Sequence, residues 1–140
     1  MSVKIFIDTN LLVYSMDQND PEKKEKSRQV LKKICDRYLG VLSTQVMQEF
    51  YVAATRKLGV DPLLSKNIIR QFENFEVVTI SPQLIYDAID CSMTSRLSCW
   101  DALIVVSAES AKCRELWTED LNPGQIIRGV KIVNPFTEQQ

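Results

Sequence analysis

The chain of 140 residues contains no histidine. This absence excludes the Ser-His-Asp and Cys-His forms of nucleophilic catalysis and general-base chemistry by histidine. It also excludes zinc sites that use histidine ligands. Any catalysis by this chain must therefore use carboxylates, Lys, Tyr, Cys or a metal ion held by oxygen ligands.

Cysteine is scarce and its spacing is uninformative, since the four residues Cys35, Cys91, Cys99 and Cys113 include no CxxC pair. That spacing argues against a zinc ribbon and against a thioredoxin-type motif. In a reducing compartment the simplest interpretation is that all four are thiols packed in the core.

The sequence also lacks an apolar run long enough to span a bilayer, and it has no signal peptide. We therefore expect a cytoplasmic protein that does not contact membranes. Hydrophobic residues make up 45% and charged residues 25% of the chain, which is typical of a soluble globular protein. Its length predicts one domain over residues 1–140. The net charge of −1 gives no overall attraction for nucleic acid, although a local basic surface remains compatible with it.

The N-terminal stretch is the most informative part of what is present. Residues 3–7 form a nearly continuous apolar run, which predicts a buried strand of a parallel sheet. Asp8 follows directly, at the strand end where open α/β sheets place their chemistry. Thr9 and Asn10 are suited to turns and helix caps. Taken alone, Asp8 is more simply explained as the cap of a helix starting near Leu11.

Strand and helix patterns alternate along the rest of the chain. Asp20-Pro21, Asp61-Pro62 and Ser81-Pro82 are helix starts, and Gly40 is interpreted as the end of the first long helix. The apolar segment 99–108 predicts the most buried helix. This alternation indicates an α/β fold whose mostly parallel sheet is covered on both faces.

Four acids occupy equivalent places in this pattern: Asp8, Glu49, Asp101 and Asp120. Each has an ordinary explanation, such as a helix cap, a core-edge glutamate or an anion in the first turn of a helix. However, strand C-termini and helix N-termini lie at one end of a parallel α/β sheet, so the four can converge. Clustered carboxylates repel one another unless protonated or bridged by a cation, and oxygen ligands favour Mg²⁺ or Mn²⁺.

Short motifs around these acids resemble a known family. Those motifs are Phe6-Ile7-Asp8-Thr9-Asn10, Gln45-Val46 with Glu49-Phe50, Trp100-Asp101-Ala102, Thr118-Glu119-Asp120-Leu121 and the closing Val133-Asn134-Pro135-Phe136. Their order resembles that of the PIN-domain ribonucleases, and in particular the VapC-type toxins of bacterial and archaeal toxin–antitoxin pairs. The resemblance covers essentially the whole chain.

The resemblance implies a three-layer α/β/α fold and RNA cleavage that depends on Mg²⁺ or Mn²⁺. It implies that the metal and its water are held by four carboxylates, namely Asp8, Glu49, Asp101 and Asp120. It further implies that Thr9, Asn10 and Thr118 support them. The expected partners are an RNA, with tRNA or rRNA as the usual targets, a cognate antitoxin protein and a second copy of the chain.

Three other functions compete with this interpretation. A haloacid-dehalogenase-like phosphatase needs a second Asp two residues after the first, and that position is Asn10. A receiver domain would need an acidic pair after its first strand, where only Asp8 is present. A non-catalytic RNA-binding module would not need four converging acids, and it predicts no binding of divalent metal.

Overall fold

The computed structural model describes residues 2–137, and within them one six-stranded sheet is flanked by helices. The strands are β1 Lys4–Ile7, β2 Leu39–Ser43, β3 Glu76–Val78, β4 Glu115–Trp117, β5 Ile126–Ile127 and β6 Val130–Val133. The helices are α1 Thr9–Tyr14, α2 Pro21–Arg37, α3 Thr44–Arg56, α4 Pro62–Gln71, α5 Pro82–Ser95 and α6 Cys99–Ser110.

The strand order in the sheet is β3-β2-β1-β4-β6-β5. β1 is central and parallel to both neighbours, with Phe6 opposite Val41 of β2 and Leu116 of β4. Every other pairing in this sheet is also parallel except the one between β5 and β6. The predicted three-layer α/β/α fold with a mostly parallel sheet is therefore confirmed.

The core is built on β1 and α6. The side chains of Ile5, Phe6 and Ile7 are fully buried, as expected for a strand covered on both faces. Residues 102–108 of α6 are all buried, so the prediction that this helix is the most buried one is confirmed. These two apolar segments set the position of the acids that lie at their ends.

The predicted helix starts are confirmed by the capping geometry. Asp20, Asp61 and Ser81 each precede a proline at the first position of a helix, and their side chains accept hydrogen bonds from backbone N–H groups of the first turn. Ser43 and Ser98 cap α3 and α6 in the same way. Such local signals work because a cap satisfies N–H groups that have no partner inside the helix.

The interpretation of Gly40 as a helix end is wrong. α2 ends at Arg37 with Tyr38 as its C-cap, and Gly40 lies inside β2. A Cβ atom at position 40 would stand 2.5 Å from Cδ1 of Phe75. Glycine is therefore needed here because the Phe75 ring packs directly on the strand.

Other expectations about burial also need correction. Cys91 and Cys113 are buried as predicted, but Cys35 and Cys99 are exposed.

β5 was not predicted, since two residues give too short a pattern to recognise. No helix within residues 2–137 is both long enough and apolar enough to cross a membrane.

Candidate active site

Asp8 lies at the carboxyl end of the central strand and caps α1. Its backbone is extended (φ −78°, ψ 159°), and Oδ1 accepts a hydrogen bond of 2.7 Å from the Thr9 N–H. The predicted capping role is therefore present, although the helix begins at Thr9 rather than near Leu11. The side chain is buried, with 8% of the residue exposed. A cap this deeply buried needs further partners, because a carboxylate loses its hydration there.

The second oxygen of Asp8 is held by Thr118. The Thr118 hydroxyl is fully buried and donates a hydrogen bond of 2.7 Å to Asp8 Oδ2. The sheet register produces this contact, since Ile7 of β1 pairs with Trp117 of β4 and the next residue of each strand follows at the same edge. Thr118 Oγ1 also accepts a hydrogen bond of 3.1 Å from the Asp120 N–H.

Asn10 connects the same turn to α1. Its Nδ2 donates to Asp120 Oδ2 at 3.0 Å and more weakly to Thr118 Oγ1 at 3.4 Å. These two acceptors fix which end of the amide is the nitrogen. Asn10 Oδ1 is buried and has no hydrogen-bond partner. A buried oxygen without a donor is available to a cation or to a water molecule.

Glu49 of α3 joins the network from the other side of α1. The Thr9 hydroxyl donates a hydrogen bond of 2.7 Å to Glu49 Oε1, and Gln45 Nε2 donates one of 3.2 Å to Oε2. Gln45 Nε2 also donates to the backbone carbonyl of Trp100 at 3.2 Å. Gln45 Oε1 is a second buried oxygen without a partner. The three supporting residues Thr9, Asn10 and Thr118 therefore bond to three of the four acids.

Asp101 is the acid that this network does not reach directly. It lies half-buried in the first turn of α6, and its backbone N–H donates to Ser98 Oγ at 3.1 Å. Within residues 2–137 its carboxylate forms no hydrogen bond with Asp8, Glu49 or Asp120. Its connection to them runs through the carbonyl of its neighbour Trp100 and the side chain of Gln45.

Burial and neighbouring charge raise the pKa of Asp8 to about 6. Desolvation is the largest cause, and the hydrogen bonds from Thr118 and Thr9 oppose it by favouring the charged form. The negative charges of Asp120 and Glu49 raise the pKa further. Within residues 2–137 no Lys or Arg forms an ion pair with any of the four predicted acids. The site is therefore acidic and uncompensated.

The oxygen atoms of the site suit a hard cation, but only one or two carboxylates could bind the same ion. Among residues 2–137, no three carboxylates or thiols stand in an arrangement able to hold a metal ion. Mg²⁺ usually keeps several waters and uses only one or two carboxylates, so three are not required. The unpartnered amide oxygens of Asn10 and Gln45 are ligands of the same hard type.

A second charged cluster beside Asp120 was missed by the sequence analysis. Lys23 of α2 forms a salt bridge of 2.9 Å with Glu119, and its Nζ lies 4.7 Å and 4.3 Å from the ring centres of Tyr14 and Phe136. The Tyr14 hydroxyl donates a hydrogen bond to Glu119, which raises the pKa of Tyr14 to about 12. This cluster anchors the turn that carries Asp120.

Sequence signals for the missed residues were weak. Glu119 is adjacent to a predicted acid, and Gln45 precedes Glu49 by one helical turn, so both could have been examined as supporting groups. Lys23 is one of several cations on α2, and nothing in the sequence distinguishes it from the others.

A groove of about 510 Å³ opens beside two of the four predicted acids, Glu49 and Asp120, whereas Asp8 and Asp101 do not line it. Its lining includes Thr9, Asn10, Glu49 and Asp120, together with Lys57 at the end of α3. We call it the acid groove. It is large enough for a polymer segment or a small ligand to reach the carboxylates.

Comparisons with known proteins agree with this fold. The family model for the PIN domain matches residues 5–126. A toxin–antitoxin complex from Klebsiella pneumoniae matches at a TM-score of 0.68 and 20% identity, over 94% of this chain and 97% of that one. VapBC2 from Rickettsia felis, bound to a promoter DNA fragment, matches at 0.67 and 13%, over 93% and 97%.

A third structure is VapC20 of Mycobacterium tuberculosis, described as a toxin that cleaves the sarcin-ricin loop. It matches at a TM-score of 0.64 and 17% identity, over 83% of this chain and 91% of that one. At these identities the three structures establish similarity of fold. No curated protein sequence matches the chain.

Proposed function

Because the chain belongs to the PIN-domain family, we propose that it is an endoribonuclease dependent on Mg²⁺ or Mn²⁺ and the toxin of a type II toxin–antitoxin pair. The observation that carries the proposal is the uncompensated acid cluster at the end of β1. Asp8 is buried beside Asp120 and Glu49, and hydroxyl and amide groups rather than cations hold all three. Such an arrangement costs stability, which is typical of functional sites.

In this proposal the predicted acids Asp8, Glu49, Asp101 and Asp120 would hold the metal ion and its water, with one or two of the carboxylates binding the ion directly and the others acting through its waters. The ion would polarise a phosphoryl oxygen and lower the pKa of water for attack on phosphorus. The chain's own polar groups keep the acids in place. Thr118 and the Thr9 N–H fix the two oxygens of Asp8, Asn10 fixes Asp120, and Thr9 and Gln45 fix Glu49. This support leaves the remaining lone pairs of the carboxylates free for a cation.

The phosphatase alternative is less well supported. Its acid/base would have to stand at position 10, where Asn10 instead uses its amide to bind Thr118 and Asp120. An amide cannot exchange a proton with a leaving group in the way that a carboxylic acid can. The two activities separate on p-nitrophenyl phosphate, which a phosphatase hydrolyses and a ribonuclease leaves intact.

Cleavage of total RNA by the purified chain tests the proposal. RNA would be incubated with Mg²⁺, with Mn²⁺ or with excess EDTA, and the cut ends would be mapped. We expect discrete cleavage with either metal and none with EDTA. Cleavage that continues undiminished in EDTA would contradict metal dependence, and intact RNA under every condition would contradict the nuclease function.

An antitoxin partner is the second part of the proposal. Two of the structural relatives are toxin–antitoxin or VapBC complexes, and the acid groove of this chain would attract a basic side chain from a partner. Co-expression with the neighbouring open reading frame, followed by affinity purification, should recover a complex. Recovery of the chain alone, together with unimpaired growth when it is expressed freely, would contradict the toxin role.

A homodimer and a cytoplasmic location stay predictions from the sequence and its resemblance. Light scattering of the purified chain measures the first, with twice the mass of 16.1 kDa as the expected result. Fractionation of the source cells measures the second.

A further inference from the structure

A second groove lies next to the acid groove along α3. Its volume is also about 510 Å³, and its lining includes Val52, Arg56 and Trp100. Glu49, Ala53 and Lys57 line both grooves. These three residues follow one another at intervals of four and so form one ridge, about 12 Å long, along a single face of the helix. The two grooves therefore adjoin each other along this ridge.

Trp100 is the most exposed aromatic group beside the acids. It is 68% exposed, in contrast to Trp117, which is 4% exposed. Its backbone is nevertheless tied to the site. Nε2 of Gln45 donates one hydrogen bond to the carbonyl of Trp100 and another to the carboxylate of Glu49. Its sequence neighbour is Asp101. The backbone of Trp100 is therefore held in place while its indole ring is exposed to solvent, and a ring on which a base stacks needs both properties.

The same groove has positive charge available. Arg56 and Lys57 are exposed at the end of α3, and within residues 2–137 neither forms an ion pair with an acid. The whole chain has a net charge of −1, so these two cations without an acidic partner supply positive charge locally. A polyanion that reaches the acid groove would gain from both cations, because phosphate contacts supply most of the affinity for nucleic acids.

We propose that this second groove is a nucleobase subsite, in which Trp100 stacks on an unpaired base of the RNA next to the bond that is cut. Arg56 and Lys57 would contact the adjoining phosphates. The inference rests on the proposed nuclease function and adds to it the side chain that holds a base of the substrate, Trp100 in the second groove. Aromatic stacking suits unpaired bases, since only those expose a face, and it tolerates any base identity.

Tryptophan fluorescence offers a test that does not depend on catalysis. Asp8→Asn protein, which we expect to be inactive, would be titrated with a short single-stranded RNA and with the same sequence as a duplex. Binding of the single strand should change the Trp100 emission, while the buried Trp117 gives a constant background. The change should disappear in Asp8→Asn protein that also carries Trp100→Phe.

Affinity measurements on matched variants complete the experiment. Trp100→Ala should weaken single-strand binding about tenfold or more, and Trp100→Phe should restore most of the loss because a ring remains. Tyr86→Ala removes an aromatic side chain from α5 that is also largely exposed and lies outside both grooves, and it should change nothing. Arg56→Gln and Lys57→Gln should each lower the slope of log affinity against log salt by about 0.7.

The outcomes separate this inference from the proposed function. Parent protein that cleaves RNA while Trp100→Ala binds as tightly as Trp100→Phe would overturn the subsite and leave the nuclease intact. A change in Trp100 emission on RNA binding, without cleavage under any metal condition, would support the subsite and contradict the nuclease. Equal affinity for the duplex, or an emission change caused only by a co-purified protein partner, would overturn the nucleobase assignment.

Discussion

The central strand β1 carries a charged side chain at each end, and the two are treated in opposite ways. Lys4 begins the strand and is neutralised, with its Nζ 2.8 Å from Glu76 Oε1 and 3.1 Å from the Ala111 carbonyl. Asp8 follows the strand, is more deeply buried, and has no cation bonded to it. The hydrogen bond with Glu76 raises the pKa of Lys4 and stabilises its charge, whereas burial raises the pKa of Asp8 and disfavours its charge.

The difference distinguishes a charge kept for the fold from a charge kept for chemistry. A structural charge is paired, because pairing offsets the loss of hydration. The carboxylate at the other end is held in place by neutral hydroxyl and N–H groups, beside two further acids that repel it. The fold therefore tolerates a charge without a counterion at Asp8, whereas it pairs the charge of Lys4 with Glu76.

The largest expected effect is on RNA cleavage. Asp8→Asn should lower the cleavage rate about a thousandfold or more, because a neutral amide is a poor ligand for Mg²⁺ and the metal supplies several kcal/mol to the reaction. Lys4→Gln removes the charge at the opposite end and should leave the rate within a factor of about two. Rates on one labelled RNA measure both. An equal loss of cleavage rate in the two variants would contradict the different roles assigned to Asp8 and Lys4.

The next effect is on stability against pH in metal-free buffer. An unfolded Asp8 ionises near its ordinary pKa of 3.8, and the folded one at about 6. Between these values the unfolded chain has lost a proton that the native chain retains, so rising pH favours unfolding. The Asp8 contribution should lower the free energy of unfolding by about 2 kcal/mol from pH 4 to pH 6, and by about 3 kcal/mol in all before it levels off above about pH 7.

Urea denaturation of the parent and of Asp8→Asn, compared at each pH, isolates that contribution. Asparagine caps a helix about as well as aspartate, so the variant should be equal to or more stable than the parent at neutral pH and lose its advantage near pH 4. A constant difference between the two proteins across this range would show that the Asp8 charge is not destabilising.

A somewhat smaller effect is expected from adding Mg²⁺ at neutral pH. An ion that binds only the native state stabilises it by about 2.7 kcal/mol when its concentration is a hundred times Kd. The parent and Lys4→Gln should both gain this stability, and Asp8→Asn should not. Urea midpoints with EDTA and with Mg²⁺ provide the measurement. If Asp8→Asn gains as much as the parent, Asp8 is a helix cap and not a metal ligand.

The smallest effect is expected at the other end of the strand. Lys4→Met breaks the contact with Glu76 but keeps the aliphatic stem, and the pair is partly open to solvent. The urea midpoint should fall slightly, by less than any change above, and high salt should shrink the difference between variant and parent. A difference that persists in high salt would mean that the pair acts through packing rather than charge.

Much of the fold could be predicted because its signals are local. The helix starts at Pro21, Pro62 and Pro82 follow from caps that satisfy free N–H groups within one turn. The end of α2 could not be predicted in this way. Gly40 serves a contact with Phe75, thirty-five positions further along the chain, and a local pattern carries no trace of such a contact.

The candidate site divides in the same manner. The approach of Asp8 to Asp120 could be predicted, because the ends of neighbouring parallel strands meet at one edge of the sheet. The role of Gln45 as a link from Glu49 to the carbonyl of Trp100 could not, since it depends on the packing of α3 beside α6.

By itself the sequence determined which groups are available: no histidine, an apolar strand that ends in Asp8, and caps that start each long helix. These are properties of neighbouring residues, and short-range sterics and hydrogen bonding fix them. Only the tertiary structure decided that Asp8 is left without a cation while Lys4 receives one, and that Trp100 stands exposed beside the acids. Charge compensation and solvent exposure depend on which distant segments pack together, and they are defined only once the chain has folded.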